Sequence, residues 1–129
     1  MLGSRGFSGA TILPGANLVN TLAIQSDSTT GSLVFNNAQP LSVGAGQFSI
    51  NGIVATGKTA PITITTTTGA LSITQPIVTA GALTLTTVNN NINQSGGTIT
   101  AGGATTASAG SGDVLLLSTG NNFSNISLS

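Results

Sequence analysis

The sequence predicts an all-β fold, a parallel solenoid with three short strands in each coil of about 21 residues. Short runs in which branched apolar residues alternate with Thr or Ser recur along the chain, and such runs suit a pleated strand with one buried face. The runs also return at a fixed interval, since Ile62 and Leu83 are separated by as many positions as Leu71 and Ile92. A sustained interval of this kind is typical of stacked repeats.

The composition favours a folded chain without ionic partners. Only Arg5, Lys58, Asp27 and Asp113 are charged among 129 residues, and the formal net charge is zero. A chain with regular apolar spacing and so little charge is poorly explained as disordered. Zero net charge also removes the electrostatic basis for binding nucleic acid or an anionic membrane, so we expect neither partner.

Residues 1–30 are the least periodic part, and we expect them to form a lead-in or capping segment. Strands are predicted at 10–13 and 18–24, on either side of the turn signal Pro14-Gly15. Residues 31–129 are predicted to form the solenoid repeats of the same single domain. Thr, Val and Ile are poor helix formers and Gly or Pro interrupts nearly every window, so no helix is expected.

The clearest strand runs lie within residues 61–103. They are predicted at 61–65, 70–74, 77–79, 82–86 and 99–101, with a weaker run at 92–94. Gly, Asn, Pro or Thr clusters separate them, as expected for the corners of a coil.

Three columns of equivalent inward residues follow from the interval. The first is Leu41, Ile62, Leu83, Thr105 and Ile126; the second is Ile50, Leu71, Ile92 and Val114; the third is Ile12, Leu33, Val54, Ile77 and Ile99. Stacked coils bury each other's inward residues, which no coil can do alone. Roughly five to six coils fit the chain, giving a rod about 25–30 Å long.

An antiparallel sandwich is the alternative fold, because many short strands with frequent turn signals also describe that class. A sandwich has no reason to keep one constant interval in three independent columns. The interval therefore favours the solenoid.

Few side chains of this sequence could take part in catalysis. The chain has no His and no Cys, and its two Asp residues lie far apart in the sequence with no Glu, so no catalytic dyad, cofactor site or metal site is predicted. Residues 52–59, GIVATGKT, match the phosphate-loop pattern, but that chemistry requires a helix beginning at the Lys. Pro61 and a β-branched run follow instead, so we interpret this segment as a Gly-rich turn.

The Asn-rich segments 89–91 and 121–122 are predicted to lie at corners, where Asn tolerates left-handed backbone angles and bonds the main chain. Asn93, Asn122 and Asn125 also match the N-x-[ST] glycosylation pattern. Such matches arise by chance in a chain this rich in Asn, Ser and Thr, so glycosylation is left open.

A candidate surface array follows from the alternation of apolar residues and Thr. If the Ile and Leu residues of 61–65 and 82–86 point inward, the intervening hydroxyls point outward and stack between coils. The predicted array comprises Thr63, Thr65, Thr84, Thr86, Thr106 and Ser108. It resembles the surface of solenoid ice-binding proteins, although the column predicts that it fails at Ser42 and Gly44. The simpler explanation is that Thr is a common outward residue with high β propensity.

A candidate apolar contact patch comprises Leu115 and Leu117. Residues 114–117 are consecutively aliphatic, so in a strand two of them must face outward. We expect Leu115 and Leu117 to be covered by the N-terminal segment or by another chain.

Residues 69–129 carry a resemblance to a known family. The segments GALSI, GALTLTTVNNNINQSGGTITAGG and GSGDVLLLSTGNNFSNISLS resemble the repeat region of filamentous-haemagglutinin-like exoproteins, the large secreted adhesins of two-partner secretion. In that family, GxLTL strands alternate with I-x-Q-S-G-G-x-I-x-A-G turns in a right-handed parallel β-helix. The resemblance implies a structural and adhesive segment of a bacterial surface protein, with a host or cell-surface receptor as its partner.

The expected location is extracellular or at the cell surface. The first residues lack the continuous apolar stretch of a signal peptide, so we expect export within a longer precursor or by a signal not visible here. The ends of a solenoid are open sheet edges, where further coils of the polypeptide or copies of the chain could stack. The alternative function is therefore a fibre subunit that assembles head to tail.

Overall fold

The computed structural model describes residues 1–6, 11–26, 31–47, 49–57 and 61–129. Within them lie fourteen strands and no helix, so the question of a membrane-spanning helix does not arise for this part of the chain. The strands are β1 Leu2–Gly6, β2 Thr11–Asn17, β3 Thr21–Ser26, β4 Leu33–Asn37, β5 Leu41–Val43, β6 Ile53–Ala55, β7 Ile62–Thr66, β8 Leu71–Ile73, β9 Ile77–Thr79, β10 Leu83–Thr87, β11 Ile92–Gln94, β12 Ile99–Ser108, β13 Val114–Leu116 and β14 Asn122–Leu128.

The strands stack in parallel on three faces. Face A contains β2, β4, β7, β10 and the second halves of β12 and β14. Face B contains the first half of β3, then β5, β8, β11 and β13. Face C contains the second half of β3, then β6, β9 and the first halves of β12 and β14. The fold is a parallel β-solenoid of about five coils, which confirms the predicted class and excludes the sandwich.

Strict alternation of buried and outward residues produces the core. In β7 and β10 the pattern is buried at the first, third and fifth residues and half-buried between them. Because side chains alternate between the two sides of a strand, every second residue enters the solenoid interior. The fully buried apolar side chains include Phe35, Ile64, Leu71, Ile77, Leu83, Leu85, Ile92 and Ile99.

The predicted columns hold from Ile62 onward and are wrong upstream of it. Leu33, not Leu41, pairs with Ile62. Leu41 takes the place predicted for Ile50 and pairs with Leu71.

The third column is corrected in the same way. Ile53, not Val54, pairs with Ile77, and Ile24, rather than Leu33, stands beside Ile53. Ile12 pairs with Val34 instead of Leu33. The coil that begins at Leu33 is therefore longer than the coils that follow it, because its equivalent position in the next coil is reached only at Ile62.

A small hairpin, with its two arms at residues 44–47 and 49–52, accounts for the extra length. Ala45 and Asn51 form an antiparallel bridge, and the Gly52 N–H donates to the Gly44 carbonyl at 2.9 Å. A Cβ atom on Gly46 would lie 2.5 Å from the Ala23 Cβ atom, so the hairpin rests directly on Ala23. In the preceding coil, β3 passes from face B to face C without a loop. The hairpin covers this corner.

Inward polar side chains form the corner between faces A and B. Asn37, Thr66 and Thr87 stand in one column and are at most 2% exposed. The Thr66 hydroxyl donates to the Gly69 carbonyl at 2.9 Å, and the Thr87 hydroxyl makes the equivalent bond to Asn90. Each buried hydroxyl thus satisfies a carbonyl group where the chain leaves the strand.

Candidate functional site

The six side chains of the predicted array lie together on face A. Thr63, Thr84 and Thr106 are consecutive partners in one column. Thr65, Thr86 and Ser108 are consecutive partners in the second column. Their strand neighbours point into the core, so all six hydroxyl groups project to the outside of the solenoid.

The array is a regular grid of outward hydroxyl groups. Adjacent strands stand about 4.8 Å apart, and alternate residues of one strand stand about 6.6–6.8 Å apart. Among the described residues, the threonine hydroxyls that form hydrogen bonds belong to other positions: Thr66, Thr67, Thr68, Thr74, Thr79 and Thr87. The array can therefore donate and accept hydrogen bonds toward an outside partner.

The borders of the array differ from those predicted. Ser42 lies on face B, paired with Ser72, and it does not belong to this surface. The neighbours of Thr63 and Thr65 in the preceding coil are Val34 and Asn36. The hydroxyl array is thus bordered on this side by an apolar and an amide side chain, because the hairpin shifts the register of the coils.

The two leucines of the predicted apolar patch are exposed. Leu115 lies on face B beside Asn93 with 42% of its surface exposed, and Leu117 is 72% exposed. No described segment of this chain covers them. Their role as a contact patch stays a prediction.

Of the two Asn-rich segments, 89–91 lies at a corner, as predicted, whereas in 121–122 Asn121 precedes β14 and Asn122 is the first residue of that strand. Asn89 has a left-handed φ of 55°, and its Oδ1 atom accepts the Ser111 N–H at 3.3 Å. The Asn91 Oδ1 atom accepts the Asp113 N–H at 2.9 Å, one coil further along. These amides tie successive coils together.

A pair of side-chain amides that joins two coils is not evident from the sequence. Gln94 points inward and is 4% exposed, and its side chain bonds that of Asn121 in the next coil. The column Ile73, Gln94 and Leu116 follows from the repeat interval. This column is the signal that places Gln94 at an inward position.

The glycosylation pattern falls on positions of unequal exposure. Asn93 is half-buried within β11, whereas Asn122 and Asn125 are exposed on β14. Glycosylation at these residues stays a prediction.

The phosphate-loop pattern lacks its required helix in the described residues. Gly52 is buried in the base of the hairpin, with its N–H bonded to Gly44, and β7 follows the pattern at Ile62. Lys58 and Thr59 lie outside the described residues. Within the described ranges, no group of three or more His, Cys, Asp or Glu residues is placed to hold a metal ion.

A family model described as repeats of unknown function, DUF5649, matches residues 59–129. No curated protein matches the chain, and no solved structure matches it. The matched residues contain the regular coils and the whole hydroxyl array.

Proposed function

The chain belongs to the DUF5649 family of repeats of unknown function, and we propose that it is a structural rod segment of an extracellular adhesive protein. In this proposal the solenoid extends the protein, and its outer faces make the contacts. The observation that carries the proposal is the unbroken register of face A from β7 to β14, which presents the hydroxyl array without interruption. A surface or extracellular location is part of the proposal and is supported by the resemblance to secreted exoproteins.

The chemistry of the outer surface defines the kind of contact. Between residues 61 and 129 Asp113 is the one charged side chain. Contacts made by this region therefore rest on hydrogen bonds from hydroxyl and amide groups, together with apolar contact, and depend little on ionic attraction. Neutral polysaccharide surfaces offer matching groups, and we propose them as the class of adhesion partner.

Retention on cellulose and chitin particles tests the adhesive role. We expect the chain to be retained equally at about 0.05 M and about 0.5 M salt, because screening acts only on charges. Thr84→Lys, at the centre of the array, should reduce retention. Ser72→Lys, on face B, is the matched control and should retain binding. A chain that is not retained on either particle, or is retained equally in both variants, contradicts the proposal.

A second candidate function is adsorption to ice, and the geometry of the array favours it. Three consecutive strands place two hydroxyl-bearing side chains each in one uncharged grid. Thermal hysteresis of a freezing solution is the direct measurement. Hysteresis that Thr84→Lys abolishes and Ser72→Lys preserves supports this function. An unchanged freezing point contradicts the ice-binding function. It does not affect the adhesive proposal, which the particle assay tests separately.

A further inference from the structure

Asn51 is the only asparagine in the sequence that is followed by glycine. Glycine has no side chain to shield its main-chain nitrogen, so in an Asn-Gly pair this nitrogen attacks the asparagine side chain most readily. The fold requires glycine here, because the φ of Gly52 is +74° and a Cβ atom would lie 2.0 Å from the Pro76 carbonyl oxygen. The base of the hairpin therefore carries a chemically reactive pair.

The closed hairpin protects this pair. Asn51 is exposed to water, but Gly52 is buried. The Gly52 N–H donates to the Gly44 carbonyl at 2.9 Å, and the Gly52 carbonyl accepts the Ile24 N–H at 2.9 Å. A nitrogen whose proton is held by a neighbouring carbonyl is not free to react. Reaction therefore requires the bond between Gly44 and Gly52 to open.

Few other main-chain contacts hold the hairpin closed. Its arms share an antiparallel bridge between Ala45 and Asn51, and the Gly46 N–H donates to the Ile50 carbonyl at 2.7 Å. Ser49 has a left-handed φ of 58°, which is unfavourable for a residue with a side chain. Burial of Ile50, which is 5% exposed, opposes opening. A two-stranded hairpin is only marginally stable, so we expect it to open while the rest of the solenoid stays folded.

We propose that Asn51 is a site of spontaneous deamidation and that opening of the hairpin sets its rate. In the open hairpin, the Gly52 nitrogen loses its proton to water and attacks the Cγ atom of Asn51. A carbon–nitrogen bond forms, the side-chain nitrogen leaves as ammonia, and a cyclic imide remains. Water then opens the imide at either of its two carbonyls. One product is aspartate, and the other is isoaspartate, in which the main chain runs through the former side chain.

Isoaspartate at position 51 keeps the hairpin from closing again. It adds one carbon atom to the main chain ahead of Gly52. Ile53 is held on face C between Ile24 and Ile77, so the added length must be accommodated in the hairpin. The bridge between the two arms then loses its register, and the corner at Ala23 is left uncovered. This modification goes beyond the proposed adhesive role and does not depend on it.

Mass spectrometry of the whole chain, incubated in a mildly alkaline buffer and then digested, tests the site. Conversion of amide to acid should appear at Asn51 before any other asparagine. The rate should rise about 100- to 1,000-fold in concentrated urea, because opening the hairpin breaks its hydrogen bonds and exposes Ile50. Each converted chain also gains a negative charge on a formal net charge of zero, so isoelectric focusing separates it from the unmodified chain.

Hydrogen exchange of the Gly52 amide gives an independent measure of the same opening. Exchange and deamidation both require this N–H to be free, so both rates should be slowed by the same factor relative to the unfolded chain. In isolated isoaspartyl chains the Gly52 N–H should exchange as fast as in an unfolded chain, whereas the amides of β7 and β10 stay protected. A Gly52 N–H that stays protected in these chains would contradict the proposed opening.

Two substitutions in the hairpin should change the rate in opposite directions. A Cβ atom on Gly46 would lie 2.5 Å from the Ala23 Cβ atom, so Gly46→Ala should displace the hairpin and speed deamidation about tenfold. Ser49→Gly removes the cost of a left-handed φ and should slow the reaction about threefold. Gly15→Ala, where a Cβ atom meets nothing within 4 Å, is the control and should leave the rate unchanged.

Three results would overturn the proposal. The first is faster conversion at another asparagine. The second is an equal rate in buffer and in urea, which would show that the hairpin does not protect the pair. The third is an unchanged rate in Ser49→Gly, which would show that the hairpin does not control the reaction. This last variant keeps the test decisive if Gly46→Ala does not fold.

Discussion

Gln94 and Asn121 exchange side-chain hydrogen bonds between successive coils of the solenoid. The Gln94 Nε2 group donates to the Asn121 Oδ1 atom at 2.9 Å, and the Asn121 Nδ2 group donates to the Gln94 Oε1 atom at 2.7 Å. The same Oδ1 atom accepts the Ile99 N–H at 2.9 Å. In the coil below, the equivalent N–H of Ile77 donates to a backbone carbonyl. The side chain of Asn121 takes the place of that carbonyl.

Gln94 and Asn121 should contribute to stability as a coupled pair. Asn121→Ala leaves the Ile99 N–H without its acceptor and removes two of the hydrogen bonds of the Gln94 amide, which keeps those with Gly97 and Ser118. The free energy of unfolding should fall by about 1–3 kcal/mol. Gln94→Leu combined with Asn121→Ala removes both members of the reciprocal bond, so the double variant should be less destabilised than the sum of the two single variants. Urea unfolding of the three variants measures the coupling, and strict additivity would contradict a reciprocal bond.

Two buried threonines should respond to the same substitution in opposite directions. The Thr105 hydroxyl is buried without a hydrogen-bond partner among the described residues, so Thr105→Val should stabilise the chain by about 1 kcal/mol. The Thr66 hydroxyl bonds the Gly69 carbonyl, so Thr66→Val should destabilise it by about 1–2 kcal/mol. Thermal unfolding followed by far-ultraviolet circular dichroism compares them, and equal signs would refute the assignment.

Gly52 should not tolerate a side chain. Its φ is +74°, and a Cβ atom would lie 2.0 Å from the Pro76 carbonyl oxygen. Gly52→Ala should therefore cost about 2–4 kcal/mol through backbone strain and overlap. Gly15→Ala is the control, because a Cβ atom there meets nothing within 4 Å. Chemical denaturation should show a loss for the first variant and a change within about 0.5 kcal/mol for the second.

The solenoid should unfold one coil at a time when its ends are pulled apart. Neighbouring coils are joined by hydrogen bonds along the axis, so the load reaches one interface after another. Each regular coil should release about 70 Å of chain, and the coil containing the hairpin about 95 Å. Optical-tweezers extension traces give these step lengths. Release of the whole chain in one step would contradict independent coils.

The regular part of the fold could be predicted from the sequence because its coils have nearly constant length. From Ile62 onward, the spacing between an inward residue and its partner hardly changes, and the interval identifies the pairs correctly. The hairpin breaks the interval upstream. Ile50 continues an apolar alternation and is 5% exposed, so in the sequence it resembles a strand residue of the stack. The hairpin packs on the corner at Ala23. This contact is evident only from the three-dimensional structure.

The geometry of the hydroxyl array was predictable for the same reason. Thr63, Thr84 and Thr106 all lie downstream of the hairpin, so the interval places them in one column. The inward position of the Gln94 amide is harder to predict, because a polar residue in an apolar strand normally indicates an outward position or the end of the strand. The irregular pairing of β2 with β4 is not predictable, since it depends on where the Asn17 amide points, and composition carries no such information.

Disulfide formation between introduced cysteines on face A tests the stacking register most directly. Val34 and Thr63 are neighbours in adjacent strands, about 4.8 Å apart, so Val34→Cys combined with Thr63→Cys should form an intramolecular disulfide on mild oxidation. Ser42→Cys combined with Thr63→Cys should remain reduced, because Ser42 lies on face B. The reverse outcome, with the second pair linked and the first pair free, would mean that the chain keeps an unbroken repeat interval without the hairpin.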